Sequence, residues 1–339
     1  MKYIIDVSIE QIEKIKTLIN SGKYRNIQEF AQVSIENQLF MENSYEESLE
    51  PHGINQRTEI SNKPKEDNKV QTQKNFLSRD IQGIHTSQTP SNKIRQSCLW
   101  GQYNRIFPIK VTLRILANYI KYSGTNIDLE SFQEDAANIA KEIGKKLQTI
   151  DEKNNRSRDE RFSTGFPIGS DEYKAKSRFK MHFVGYLTKD NIIEGAPGSL
   201  GFVDISRDKN RKVSIGLTKE GFDFAFIENP VLDGENFDVI LSEAEKNYYI
   251  NHVLNNVKAE ANAMILVLSS IKNGADNPDF LNEKIRVLNN SWSDDVVNTM
   301  RGGLVSRLFE LNLIVKQKQG LHVKYSLTSK GEHLVSGNE

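Results

Sequence analysis

Two stretches far apart in the chain are written to one plan. "VSIGLTKEGFDFA" (213–225) and "VKYSLTSKGEHLV" (323–335) each run as a short strand, break at Leu-Thr-x-x-Gly, and resume as an amphipathic stub. The leucine is expected in a core, the threonine to cap the stub, and the glycine to serve as a small residue at the turn. Upstream, "FVGYLTKDNII" (183–193) lies over "LVSRLFELNLI" (304–314), with apolar residues coinciding at Phe183/Leu304, Val184/Val305, Leu187/Leu308, Ile192/Leu313 and Ile193/Ile314. Earlier still, "ILANYIKYSG" (115–124) matches "ILVLSSIKNG" (265–274). The order helix, helix, helix, hairpin, stub therefore occurs twice, in modules expected at 98–232 and 233–339. Residues 241–268 are read as a spacer of one or two helices.

A chain of 339 residues has room for two or three domains. Residues 43–97, which include "NSYEESLEPHGINQRTEISNKPKEDNKVQTQKN", hold too little apolar surface to offset their ordering entropy, so a flexible linker is expected there. As a coil it would reach roughly 40 Å. Lys plus Arg and Asp plus Glu both number 45, so indiscriminate coating of nucleic acid is excluded and any such binding must rest on local patches. The single cysteine, Cys98, excludes an intrachain disulfide and a cysteine-rich zinc site. No run of about 18 apolar residues and no apolar signal core is present. A soluble cytoplasmic, nucleoid-associated protein with no membrane partner is expected.

Residues 1–42 carry their own pattern. Tyr3, Ile5 and Val7 alternate with Lys2, Ile4 and Asp6. Ser8 with Gln11 forms a capping box, Ile12, Ile15, Leu18 and Ile19 follow at helical spacing, and Ser21-Gly22 stops the helix. Asn26 with Glu29 starts a second helix striped by Ile27, Phe30, Ala31, Ile35 and Leu39. Strand, helix, turn, helix in this span resembles the ribbon-helix-helix family over residues 2–41. The resemblance implies a homodimer whose N-terminal strands pair, since a lone strand leaves its backbone unpaired. It implies that Lys2, Ile4 and Asp6 face the major groove and that the amides of Ile27 and Gln28 meet a phosphate. Five basic against six acidic residues in 1–42 depart from the basic ribbon usual in that family, which favours dimerisation over DNA contact here.

The repeated unit resembles a tandem winged-helix pair. That resemblance implies a third helix in the major groove and a hairpin wing on the adjacent backbone. In the first module the helix is expected from about Ser170 to Thr188, with Lys174, Ser177, Arg178 and Met181 opposite its apolar side and Lys180 at the boundary. The wing "DISRDKNRKVSIG" offers Arg207, Lys209, Arg211 and Lys212, and "RSRDERF" (156–162) adds Arg156, Arg158 and Arg161. In the second module the helix is expected over 293–311, buried through Val297, Met300, Leu304, Leu308 and Leu311. Its opposite side holds Thr299, Gly302, Gly303, Ser306 and Glu310, with Arg301 and Arg307 at the flanks. A Gly-Gly pair inside a helix costs about 2 kcal/mol relative to alanine, so another backbone, of DNA or of protein, is expected close by. Lys316, Lys318 and Lys324 line the second wing. This module is expected to meet DNA or a protein partner.

Catalytic chemistry is sparse. The six histidines show no metal-ligand helical spacing, and neither metal nor cofactor is expected. "GAPGSLG" (195–201) lacks the lysine and Ser/Thr of a phosphate loop and is read as a hairpin turn. In "NPDFLNEK" (277–284), Asn277 and Pro278 read as a helix start rather than a nuclease centre. The chain is thus expected to be mainly α with small β elements: ribbon-helix-helix, flexible linker, two winged-helix domains. The function expected is non-enzymatic, sequence-specific binding of double-stranded DNA by a homodimer, most simply a transcriptional regulator. The alternatives are a plasmid replication initiator or partition adaptor, and a winged-helix interaction scaffold.

Overall fold

The computed structural model describes residues 9–20, 27, 76–79, 84–88, 93–94, 96–125, 127–319 and 322–337. The chain divides into two compact units, 1–64 and 65–339. In the first, helix α1 (Ile9–Asn20) covers the expected apolar stripe, with Ile12, Ile15 and Ile19 half-buried, and Ile27 is helical and exposed. Lys2, Ile4, Asp6 and Gln28, the expected ribbon strand, and residues 43–75 lie outside the described residues.

The second unit is mainly helical with small antiparallel sheets. It opens with segments that touch its body: Phe76 stacks on Tyr119 at 4.7 Å, Ser87 bridges to Thr218, and Ile94 to Ile193. The described part of the expected linker is therefore held by contacts. Helix α2 (Phe107–Ser123) is buried almost all round. Lys110, Arg114 and Asn118, at four-residue spacing, make a polar stripe on this otherwise apolar rod.

Strand β1 (Ile127–Asp128) leads into α3 (Leu129–Lys153), where Asp128 accepts from Ser131 N at 2.9 Å as its cap. Helix α4 (Glu172–Phe179) runs into a π-helical turn (Lys180–Val184). A small hairpin follows, β2 (Tyr186–Leu187) with β3 (Ile193–Glu194), then the single-turn helix α5 (Ala196–Ser199). Strands β4 (Val203–Arg207) and β5 (Val213–Leu217) complete a sheet of order β1-β5-β4. Helix α6 (Lys219–Phe226) and α7 (Pro230–Asp233) close this half. The C-terminal carbonyls of α6 lack intrahelical partners, and α2 supplies them. Lys110 Nζ donates to the carbonyls of Phe224 and Ile227 at 2.6 and 2.7 Å, and Arg114 Nε to that of Ala225 at 2.6 Å. Lys110 also pairs with buried Glu245 at 2.8 Å, and Arg114 with Asp233 at 2.8 Å. Burial pushes the Lys110 ammonium down to about 8, against the pull of Glu245.

The second half follows with α8 (Glu243–Asn256) and α9 (Lys258–Lys272), broken at Val257. Helix α10 (Pro278–Ile285) is capped by Asn277, which accepts from the amides of Asp279 and Phe280, with Pro278 at its first turn as expected. Helix α11 (Asp294–Glu310), the hairpin β6 (Ile314–Gln319) and β7 (His322–Leu327), and α12 (Ser329–Ser336) complete it.

The Leu-Thr-x-x-Gly motif makes the same joint twice. Thr218 and Thr328 cap α6 and α12 by accepting from Gly221 N and Gly331 N, each at 3.1 Å. Their hydroxyls donate to the carbonyls of Gly201 and Asn312, each at 2.8 Å, and their amides to those of Phe202 and Leu313, each at 3.1 Å. The glycines stand against backbone: a Cβ on Gly221 would lie 2.0 Å from Phe202 O, and one on Gly331 2.1 Å from Leu313 O. Leu217 is buried, whereas Leu327 is only half-buried.

This joint also corrects the repeat alignment. Gly201-Phe202 matches Asn312-Leu313, with left-handed φ of +69° at Gly201 and +58° at Asn312. Val203, not Ile193, is thus the counterpart of Ile314. Residues 183–193 lie at the end of the π-helical turn and in the small hairpin, because β2, β3 and α5 are interposed in the first half. "GAPGSLG" forms α5 and its flanks rather than a hairpin turn.

The halves meet along α11. Gly303 lies against residues of the chain itself: a Cβ there would stand 2.4 Å from Gly101 O, and one on Gly101 2.1 Å from Thr299 O. Gly302 has nothing within 4 Å of a Cβ. Fully buried Glu260 accepts from Leu99 N at 2.8 Å and from Arg307 Nε at 2.9 Å, and Arg307 Nη1 donates to the Tyr103 carbonyl at 2.8 Å. The start of α2 has no cap of its own; Glu310 accepts from the amides of Ile106 and Phe107 at 2.6 and 3.4 Å. Burial raises the Glu310 carboxyl above its ordinary value, against Arg105 and those amides.

Candidate nucleic-acid interface

Helix α4 is fixed on every side but one. Asp171 caps it by accepting from Lys174 N at 3.1 Å, and that amide leads in holding the Asp171 carboxyl below the ordinary range. Behind it, buried Phe179 and Phe183 continue a ring cluster through Phe166 to Phe107, with centroids 5.6 to 6.4 Å apart. Alongside, alternating charges tie it to α3: Lys141 to Glu172 at 2.5 Å, Glu172 to Lys176 at 2.9 Å, Lys176 to Glu134 at 3.9 Å, and Glu134 to Lys180. Lys141 and then Lys176 pull the Glu172 carboxyl down to about 2. Beyond it, Gly185 and Gly195 pass so close that a Cβ on Gly195 would lie 2.5 Å from Gly185 Cα. Both have left-handed φ, +111° and +104°. The helix expected over 170–188 therefore ends at Val184, and Tyr186 and Leu187 belong to β2.

The face left open carries Tyr173, Lys174, Arg178 and Met181, all exposed, with Ser177 half-buried among them. Lys174 stands 3.3 Å from Asp171. Lys180 is turned to Glu134 and leaves this face.

The hairpin of β4 and β5, expected as a wing, is shaped at its turn by one carboxylate. β4 and β5 pair from Val203↔Leu217 to Arg207↔Val213. In the turn between them, Asp208 accepts from Asn210 N at 2.8 Å and from Lys212 N at 2.9 Å. Both bonds go to its own turn, and Arg211 takes a left-handed φ of +66° to close it. Arg207, Lys209, Arg211 and Lys212 are left exposed around it. Lys212 stands 3.9 Å from Asp128, the cap of α3, while Glu134 of α3 holds Lys176 and Lys180. Asp128 and Glu134 are about 9 Å apart along a helix axis at 1.5 Å per residue. The base of the hairpin and the end of α4 thus gather at one end of α3.

The second half does not repeat this arrangement. Arg307, expected to face DNA, is completely buried against Glu260. Arg301 is half-buried and donates to Asn282 Oδ1 at 2.9 Å and to Tyr325 Oη at 3.4 Å, binding α11 to α10 and β7. Lys316 lies over the Phe309 ring and 3.5 Å from Asp159, and burial lowers its ammonium below the ordinary range. Lys324 pairs at 3.6 Å with Asp276, and Lys318 is exposed. Arg156, in the loop 156–162, stacks on Phe162 at 3.7 Å and pairs with buried Asp151 at 3.0 Å, whereas Arg158 and Arg161 are exposed. The buried residues Lys110, Arg114, Glu245 and Glu260 escape sequence reasoning, whose one sign of them is the four-residue spacing of Lys110 and Arg114 on an apolar helix, and Glu310, expected on an outward face, instead meets the start of α2.

Among the described residues, no group of three His, Cys, Asp or Glu is placed to hold a metal, and no helix is long and apolar enough to cross a membrane. No family model, curated protein or solved structure matches this chain. The reading of this surface rests on its own geometry.

Proposed function

We propose that this chain is a sequence-specific double-stranded-DNA-binding protein, most simply a transcriptional regulator, acting as a homodimer joined through its N-terminal strand. In this reading the two halves of residues 65–339 are winged-helix modules, and the first makes the groove contact. The observation that carries it is the hairpin 203–217: four exposed cations around a turn that Asp208 holds through its own backbone amides, with the hairpin base and the end of α4 gathered at one end of α3. Cations so placed suit phosphates, which supply most of the affinity for duplex, and a helix held from behind suits the groove.

The test is an electrophoretic shift of random genomic fragments by the full chain at about 50 mM salt, where phosphate contacts are strongest. Binding by the native chain, with loss in the double variant Lys209→Glu/Arg211→Glu, is expected; no shift by the native chain overturns the proposal. Sedimentation of the full chain as a monomer at high concentration would remove the dimer from it. Footprints separate the roles: one palindrome fits a regulator, several direct repeats a replication initiator.

A further inference from the structure

We propose that the open face of α4 and of the π-helical turn that continues it selects thymine, reading its methyl group through Tyr173 and Met181; this rests on the DNA-binding reading above. Tyr173 is 64% exposed and Met181 45% exposed, although both belong to a helix whose other large apolar residues, Phe179 and Phe183, are buried. At 100° per residue Tyr173 and Ser177 fall within about 40° of each other, with Lys174 and Arg178 on the flank, and Met181 follows about one turn later in the π-helical turn. They do not fray from the end of a loose helix. The ring cluster, the ion-pair ladder and the Gly185–Gly195 contact hold the backbone that presents them.

The charges beside them are largely engaged. Lys174 stands by Asp171, and Lys176 and Lys180 by Glu134. The thymine 5-methyl is the apolar group that the major groove offers, so exposed apolar side chains on a groove-facing helix have that partner. Methionine suits the contact because its unbranched thioether adapts to the position of the methyl. From Tyr173 to Met181 the helix advances about 12 Å, a span of three to four base pairs at about 3.4 Å each. The selected thymines therefore lie within one such window, together with the base that Arg178 meets.

The experiment starts from duplexes that the full chain selects from a random library. Each thymine is replaced singly by uracil, which lacks only the methyl. The native chain is expected to lose about fourfold in affinity at one or two neighbouring positions, the effect of uncovering one methyl-sized group. Met181→Ala should bind thymine and uracil duplexes alike at one of those positions, while Met181→Leu, still apolar, should keep the penalty. Tyr173→Ala should erase the penalty at the other. Both alanine variants should retain the native salt dependence, since neither side chain meets a phosphate. Uracil tolerated at every position, or a penalty undiminished in Met181→Ala, overturns this inference and leaves DNA binding intact. Failure to recover any duplex overturns the DNA-binding reading, and this inference with it.

Discussion

The two halves share one joint and use their third helices in opposite ways. In the first, α4 and the π-helical turn after it turn a face of Tyr173, Lys174, Arg178 and Met181 to solvent. In the second, the matching side of α11 is covered by the stretch from Leu99 to Phe107, with Gly303 against Gly101 and Glu310 on the amides of α2. Arginines on these two helices thus come to different ends: Arg178 is exposed, while Arg307 pairs with Glu260 in the core. Gly303 is where the other backbone lies, whereas its neighbour Gly302 meets open space.

The sharpest way to break this contrast is Glu260→Ala. It strands a buried guanidinium, and a loss of about 3–5 kcal/mol in denaturant unfolding is expected. Removing one charge of the α4 ladder with Lys176→Met should change stability by less than about 1 kcal/mol, since partly exposed pairs contribute little. Next is Gly303→Ala, expected to destabilise by about 2–3 kcal/mol because its methyl would press on the Gly101 carbonyl. Its neighbour should do the reverse: Gly302→Ala enters open space and should stabilise α11 by about 1 kcal/mol.

On the functional side, Lys209→Glu should weaken duplex binding and lower the salt slope by about 1, with Lys318→Glu changing both less. The smallest effect is acid-dependent. Burial alone would raise the Asp151 carboxyl, but Ser163, the Phe162 amide and Arg156 hold it below its ordinary value. A carboxylate depressed in the folded state lends stability that is complete above about pH 4 and lost as pH falls through the lowered value. Asp151→Asn should therefore melt with a shallower pH dependence below about pH 4 than the native chain, as followed by circular dichroism.

What could be read in the sequence was whatever depends on near neighbours. Asn277-Pro278, Thr218 and Thr328 act as caps because the amides they satisfy lie two or three residues on. The hairpin in "DISRDKNRKVSIG" is legible because strand alternation and turn chemistry lie within one short window. Arg307 was misread because its partners, Glu260 and Tyr103, are 47 and 204 residues away, and an arginine on a helix flank looks alike whether it meets water or a carboxylate. The repeat was misaligned for a related reason. Apolar spacing matched Ile193 to Ile314, but the interposed hairpin and α5 shift the true counterpart to Val203. The expectation for the helix over 293–311, that another backbone lies close to its paired glycines, is met at Gly303 by Gly101; Gly302 has no such neighbour among the described residues.

The carboxylate of Glu310 has a consequence in time as well as space. It finishes the start of a helix laid down 204 residues earlier. At about 5–20 residues per second, a ribosome needs roughly 10–40 s to travel between them. Throughout that interval the nascent first half carries an unfinished helix end and an uncovered flank, a vulnerable period for a protease or a rescue by a chaperone.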